Sequence, residues 1–343
     1  MLVIHAPNVH QGGGRTLLLS LLEAVDKNQC RIIVDQRLGV PSQFGSIVAH
    51  CTEPSLRGRL IAEWRLRELA GRGDSVLCFS GLPPLFRSFA RVALFVQNLY
   101  TLSPIDTSGF PFKVRVRIQV ERVWLRLLHR RADKIIVQTD SVRRKVEQLL
   151  GRSAEVLPFA GESACDLRQV SQSRRSQQGK FDFIYVASGE PHKNHANLLN
   201  AWIMLARENC FPSLCLTVDE KHAPALAARI ALMRVEFGLK VDNRTGYARG
   251  NIFDLYREAN ALIYPSLLES LGLPLIEAAS IGLPILASEL DYVRDVIDPA
   301  ESFDPASSLS IARAVKRHLG IVDKPLMPNS AREWLDALIE DPR

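Results

Sequence analysis

Short apolar runs recur along the chain, spaced so that a helix fits between one and the next. In the first half these runs are Leu2-Val-Ile-His-Ala6, Arg31-Ile-Ile-Val34, Ser75-Val-Leu-Cys-Phe79, Arg91-Val-Ala-Leu-Phe-Val96 and Lys134-Ile-Ile-Val137. The second half repeats the rhythm with Phe181-Asp-Phe-Ile-Tyr-Val-Ala-Ser188, Leu214-Cys-Leu-Thr-Val218, Lys240-Val241, Ala261-Leu-Ile-Tyr264 and Leu283-Pro-Ile-Leu-Ala287. Helical periodicity covers Thr16 to Val25, His195 to Arg207, Asn251 to Ala259 and Ala331 to Ile339. Strands alternating with helices predict parallel sheets with helices on their faces, and ligands at the strand ends. Between the two sets, Gln169 to Lys180 is rich in Ser, Gln and Arg and has no core-forming pattern. The expected organisation is therefore a domain over 1–170, a linker over 171–180, a second domain over 181–325 and a terminal helical segment over 326–343.

One segment is ambiguous by periodicity. Lys113 to Val120 alternates as a strand would, but the continuation to Arg131 fits a helix better. At 100° per residue, Arg115, Gln119, Arg122, Arg126, His129 and Arg130 share one face. Val116, Val120, Val123, Trp124, Leu127 and Leu128 share the opposite one. The basic face is either the solvated side of a core-packed helix or a stripe that docks on anionic lipid.

The densest chemistry lies from Tyr264 to Val296. A buried strand ends at Tyr264, a loop carries Glu269, Gly272 turns the chain, and a helix starts with Pro274 near its first position. Gly282 stops that helix before the next strand. A helix N-terminus at a strand end is a natural anion site. Glu269 and Glu277 flank it, with Glu277 expected in the first helical turn. They are either a loop acid and a dipole-complementing acid, or two carboxylates that accept from vicinal hydroxyls of one ligand. Two further loops fit such a ligand. The Gly12-Gly-Gly14 turn allows close backbone approach to a phosphate or sugar, though it also reads as a plain tight turn. Lys193 sits near a helix start, an unfavourable place for a cation unless an anion is present. After Val96, Gln97 and Asn98 place polar groups at a strand end.

The run Glu269-Ser-Leu-Gly-Leu-Pro-Leu-Ile-Glu277, followed by Ala-Ala-Ser-Ile-Gly-Leu-Pro, resembles the donor site of retaining GT-B glycosyltransferases of family 4, which carry Glu, seven residues, Glu. The resemblance is strong from about 181 to 297 and diffuse before. It implies an α/β fold of two Rossmann-like domains facing across a cleft, with a C-terminal helix returning to the first. It implies transfer of a hexose such as mannose from a GDP- or UDP-linked donor to a glycan or lipid-linked acceptor in cell-surface polysaccharide synthesis, without a metal or other cofactor. Glu277 would hold the nucleotide ribose, Glu269 would face the transferred sugar, and Lys193 would bind the diphosphate. Ser270, Leu271, Gly272, Leu273 and Pro274 would line the diphosphate and sugar. Gly13, Gly14, Gln97 and Asn98 would line the acceptor side. Two departures stand out. Gln97 occupies a position where many relatives have His, and Ala187-Ser188 stands where they have Gly-Arg, so one cationic phosphate contact is missing unless His192 or Arg15 supplies it. A sugar-nucleotide-binding relative that no longer catalyses, or a Rossmann dehydrogenase suggested by the glycine turn, are the alternatives.

Composition narrows the setting. With 343 residues, 47% of them hydrophobic, the chain can bury two cores. Its formal charge of +6 is unevenly spread: residues 1–170 carry 24 Lys+Arg against 15 Asp+Glu, the remainder 19 against 22. The basic first half favours an acidic surface or substrate, an anionic lipid leaflet or nucleic acid on charge alone; the basic helix around Arg115 to Arg130 is the candidate contact with an anionic membrane, and nucleic acid is not an expected partner of the family that the chain resembles. The six cysteines have no metal-ligand spacing, and only Cys210 and Cys215 suggest even a weak pair, so reduced thiols in a cytoplasmic protein are expected. Met1-Leu-Val-Ile-His-Ala-Pro reads as a first strand and not as a signal peptide, and no apolar run is long enough to span a bilayer. No Asp-x-Asp metal motif occurs.

Overall fold

In the computed structural model, residues 1–102, 110–159, 179–244 and 252–321 are described. The predicted helix at Ala331 to Ile339, nearly all of the linker, and the Thr245-Gly-Tyr247 stretch lie outside them.

The first half folds as β1 (Leu2–Ala6), α1 (Gly12–Ala24), β2 (Cys30–Asp35), β3 (Val48–Thr52), α2 (Leu56–Leu69), β4 (Ser75–Cys78), β5 (Arg91–Phe95), α3 (Phe112–Leu128), β6 (Lys134–Val137), α4 (Asp140–Leu150) and β7 (Glu155–Val156). Its seven strands pair in parallel in the order β3-β2-β1-β4-β5-β6-β7. Successive residues of a strand face opposite sides of the sheet. Val3 accordingly packs with Ala62 of α2, Leu125 of α3 and Val142 of α4, while Ile4 packs with Leu17, Leu18 and Leu22 of α1. Thus α2, α3 and α4 cover one face and α1 the other.

The second half runs β8 (Phe181–Tyr185), α5 (His195–Arg207), β9 (Leu214–Leu216), α6 (Pro224–Glu236), β10 (Val241–Asn243), α7 (Ile252–Arg257), β11 (Ala259–Tyr264), α8 (Leu273–Ser280), β12 (Ile285–Ser288), α9 (Asp291–Arg294), β13 (Glu301–Phe303) and α10 (Ser308–His318). Six parallel strands are ordered β10-β9-β8-β11-β12-β13 around one apolar core. Each sheet reverses its strand order once, between β1 and β4 and between β8 and β11. Ligand crevices open at such switch points, outside the carboxyl ends of the strands.

The two halves meet through the segment after β11. Leu271 and Leu273 are buried in the α1-side core of the first sheet, and Leu268 packs against the opposite core. Thr139 Oγ1 donates to Ser270 O at 3.4 Å, and the Ser141 amide donates to an Asp295 carboxylate at 2.8 Å.

Two expectations are corrected. The glycine triplet is not a loop before the helix: α1 begins at Gly12, with Gln11 at its N-cap. On α3, Ile118 and Leu125 face the core, whereas Val116, Val120, Val123 and Leu127 face outward. The inward side carries side chains with fixed partners. Arg122 Nε donates to Tyr100 O at 2.7 Å and Trp124 Nε1 to Pro83 O at 2.9 Å, and these bonds set the rotation of the helix. His129, expected on the basic face, is buried.

Candidate active site

Lys193 reaches the cleft from a short turn, Pro191–Lys193, that ends at Asn194 in a left-handed conformation (φ 61°). Asn194 suits that geometry because its short amide can bond locally. Here the amide donates to Pro265 O at 3.0 Å and Pro305 O at 2.8 Å, and Tyr185 Oη donates to Lys193 O at 2.7 Å. The backbone is thereby fixed and the ammonium aimed: Lys193 Nζ lies 2.6 Å from Glu269 Oε1. Tyr264 Oη and Ser266 Oγ converge on the same carboxylate oxygen at 2.8 and 2.6 Å. Burial pushes the Glu269 carboxyl up, but Lys193 and the Ser266 hydroxyl together outweigh it and hold the group below the usual range. Glu269 is an ionised carboxylate inside a protein wall.

Gly272 then turns the chain at φ 72° into α8, and a Cβ there would sit 3.0 Å from Leu275 Cδ1, so a side chain would meet both backbone strain and crowding. Pro274 lies in the first turn of α8, as expected. Glu277 is in the second turn, not the first, because Leu273 opens the helix. It is largely buried and accepts from Tyr256 Oη at 3.0 Å. The helix start faces the first domain closely: the position a Cβ would take on Gly13 is 3.7 Å from Leu273 Cδ1. For Gly14 the same position is 3.6 Å from Gln97 Oε1, and Gln97 Nε2 donates to Phe79 O at 3.3 Å. Gln97 therefore stands beside the glycine segment. Asn98 accepts from the Tyr100 amide at 3.1 Å and approaches Glu121 Oε2 at 3.4 Å.

Glu269, Lys193, Gly272, Leu273 and Pro274 are thus brought together, with Gly13, Gly14 and Gln97 across from them. Ser270 and Leu271 are committed to the first domain through a carbonyl and an apolar side chain. Sequence reasoning missed one pair. Tyr100 Oη and His192 Nδ1 are hydrogen-bonded at 2.8 Å across the two halves, their rings edge to face at 5.4 Å. Only the position of His192, next to Lys193, hinted at it. Burial, then the Lys193 charge, hold the His192 imidazole down to about 4, so without a ligand it is neutral near pH 7. Arg15 approaches Leu38 O at 3.5 Å, and Ser188 donates to Glu190.

His195, its ring tilted against Tyr185 at 4.9 Å, has no hydrogen-bond partner on either ring nitrogen, and burial holds it to about 3. Both histidines titrate lower in the folded chain than the ordinary 6.5, so the unfolded chain takes up protons first. Stability is full above about 6.5 and declines as pH falls toward 4 and then 3. His195→Phe should flatten that decline. Melting temperature followed against pH checks it, and an unchanged slope would exclude His195 as a contributor.

Among the described residues no group of three or more His, Cys, Asp or Glu side chains could hold a metal ion, and no helix is long and apolar enough to cross a membrane. Cys210 and Cys215 are free thiols.

Residues 168–321 match the family model for glycosyl transferases group 1. The second half of the chain is a group 1 glycosyltransferase domain. Over 168 residues the chain is 29% identical to the serotype-specific mannosyltransferase WbdA of Escherichia coli, covering 45% of this chain and 19% of that protein. It is 29% identical over 124 residues to the O-antigen chain mannosyltransferase B of Escherichia coli, covering 34% of this chain and 31% of that one. These matches span less than a third of the length of either relative. Among solved structures, Anabaena HepE in complex with UDP and glucose superposes with a TM-score of 0.64 at 14% identity, covering 93% of this chain and 89% of that one. The lipopolysaccharide outer core galactosyltransferase WaaB, in its apo form, gives 0.57 at 14% identity over 92% and 90%. Such likeness extends over both halves and identifies the group 1 domain's setting as a two-domain GT-B fold.

Proposed function

We propose that this chain is a retaining glycosyltransferase of family 4 that moves a hexose, mannose in our reading, from a GDP- or UDP-linked donor to a glycan or lipid-linked acceptor in cell-surface polysaccharide synthesis. The observation that carries the reading is the Lys193–Glu269 pair, 2.6 Å apart, beside the start of α8 and facing Gly13. A donor diphosphate placed at the helix start would draw Lys193 Nζ away from the carboxylate. That exchanges one anionic partner for another and leaves Glu269 to the sugar. As the anomeric C–O bond breaks, negative charge grows on the leaving nucleoside diphosphate. Lys193 and the α8 dipole would stabilise it, so the reaction as we read it calls for no metal. The acceptor hydroxyl would attack from the same face and give its proton to the departing phosphate. Glu269 would then orient the sugar and oppose the positive charge at its ring. Glu277, deeper in α8, would take the ribose hydroxyls. The mannosyltransferase relatives support mannose, and the basic first domain supports work in the cytoplasm at the inner face of a membrane.

One observation favours a second reading. Gln97 already bonds to Phe79 O, and Ser188 leads to an acid, so a donor-binding protein without turnover fits these two departures. A thermal-shift panel over GDP-, UDP- and ADP-sugars, followed by radiolabelled donor turnover, separates the two. A ligand at a hundredfold excess over its Kd adds about 2.7 kcal/mol to stability and so raises the melting temperature. Stabilisation with turnover supports transfer, and stabilisation without turnover on any glycan or lipid-linked acceptor supports the binding protein. No stabilisation by any sugar nucleotide overturns both.

A further inference from the structure

The outward side of α3 is an apolar ridge. Phe112 is 76% exposed and Leu127 72%, while Val116, Val120 and Val123 lie between 45% and 54%. At 100° per residue these five fall on one stripe, opposite the core-facing Ile118 and Leu125. Exposed cations flank the stripe on both sides, Lys113 and Arg117 on one, Arg115 and Arg126 on the other. The neighbouring helix continues the surface. On α2, Leu56, Leu60 and Trp64 recur every four residues and are 52% to 86% exposed. The two helices are joined: the Arg59 guanidinium of α2 lies 5.0 Å over the Trp124 ring of α3. The chain between β4 and β5 is tied to both, through Leu85 N to Glu63 at 2.8 Å and Trp124 to Pro83 O. It adds exposed Phe89, with Arg72 at 5.7 Å from its ring.

An apolar surface of this extent, rimmed by cations, marks an interaction site. Its charge selects the occupant. A second copy seated by two-fold symmetry would set arginine rows against arginine rows. An anionic lipid leaflet instead takes the ridge into the acyl boundary, the arginines among headgroups and Trp64 at the interface. We propose that α2, the 83–89 segment and α3 form a lipid-docking face that seats the first domain on an anionic membrane leaflet. The contact is therefore made by an apolar ridge with basic margins, and not by a basic stripe alone. The same α3 reaches the cleft on its inner side, through Glu121 to Asn98 and Arg122 to Tyr100 O. Docking would thus orient the acceptor side of the cleft relative to the leaflet. This deepens the acceptor half of the function proposed above, and rests on that reading only for the acceptor's being lipid-carried.

The test is sedimentation of the full chain with vesicles of phosphatidylethanolamine and phosphatidylglycerol, against vesicles of phosphatidylcholine alone. Preferential binding to the anionic vesicles is expected. Val120→Asp with Leu127→Asp should abolish it. Arg115→Glu with Arg126→Glu should weaken it by at least about twentyfold and reduce its salt dependence, since each cation near the surface is worth about fivefold. All four residues are exposed, so melting temperature and turnover on a water-soluble acceptor should be unchanged. Absence of wild-type binding to anionic vesicles, or wild-type binding by the aspartate variant, would overturn the proposal. So would a fall in solution mass from dimer to monomer in that variant. Vesicle binding is read without donor or acceptor, so it can fail while transfer persists, and loss of transfer with binding intact would count only against the enzymatic reading.

Discussion

Glu269→Gln should bind nucleoside diphosphate as tightly as the wild type, or more tightly, and transfer sugar about a hundredfold to a thousandfold more slowly. The two effects have one origin. In the wild type, Lys193 Nζ is held 2.6 Å from the Glu269 carboxylate, and a donor diphosphate must compete for that ammonium. A neutral amide still accepts from Tyr264 and Ser266 but no longer holds the cation by charge, so Lys193 is released to the phosphates. The negative charge that would face the sugar ring as the anomeric bond breaks is gone as well. Calorimetric binding of GDP and UDP together with single-turnover rates would check both halves. A variant that loses binding and turnover in equal measure would mean that Glu269 is a structural acid, and the assignment to the sugar would be dropped.

Lys193→Met should have the larger effect on stability. Both members of the pair are mostly buried, with side chains 16% and 12% exposed. Removing only the cation leaves a desolvated carboxylate without its countercharge, held by the Tyr264 and Ser266 hydroxyls alone, which costs about 3–5 kcal/mol. Burial then acts on Glu269 without its main opponent, and the carboxyl should titrate higher than in the wild type. Donor binding should fall too, because Lys193 is the cation that the diphosphate would take. Adding Glu269→Gln to Lys193→Met should recover much of the lost stability, since the orphaned charge is then removed. Denaturation midpoints of the two single variants and the double variant measure this coupling. If the lysine variant were as stable as the wild type, the pair would be a surface-like contact. If it bound donor normally, the diphosphate would have another ligand.

Much of the second half could be read from the chain because its signals are local. Gly272, Pro274 and Gly282 punctuate a strand–helix–strand unit, and Glu269 and Glu277 fall at fixed places within it. Even there, the turn count slipped: Leu273 opens the helix, which moves Glu277 into the second turn. The strands missed were β3, β7 and β13. Each lies toward or at a sheet edge, and Val48-Ala-His-Cys-Thr52, Glu155-Val156 and Glu301-Ser-Phe303 lack the apolar runs that central strands need. The rotation of α3 was hidden for a different reason. Apolar residues occur on both its inner and outer sides, so amphipathic pattern cannot choose between them, and the choice is made by Arg122 and Trp124 bonding to distant carbonyls. The Tyr100–His192 contact joins residues 92 apart in different domains. No local rule reaches across that distance.

That contact ties the Lys193 turn to the 97–100 segment of the first domain. His192 shares its turn with Lys193, and its carbonyl accepts from the Leu267 amide at 2.8 Å, in the loop that leads to Glu269. On the other side Tyr100 receives its position from Asn98, at the mouth of the first domain's cleft. Any shift of the Lys193 turn that strengthens or weakens the Tyr100 bond changes the free energy of the 97–100 segment, and the reverse change must be equal. With donor and acceptor seated as proposed, this one hydroxyl and one neutral imidazole would couple the two affinities, equally in both directions.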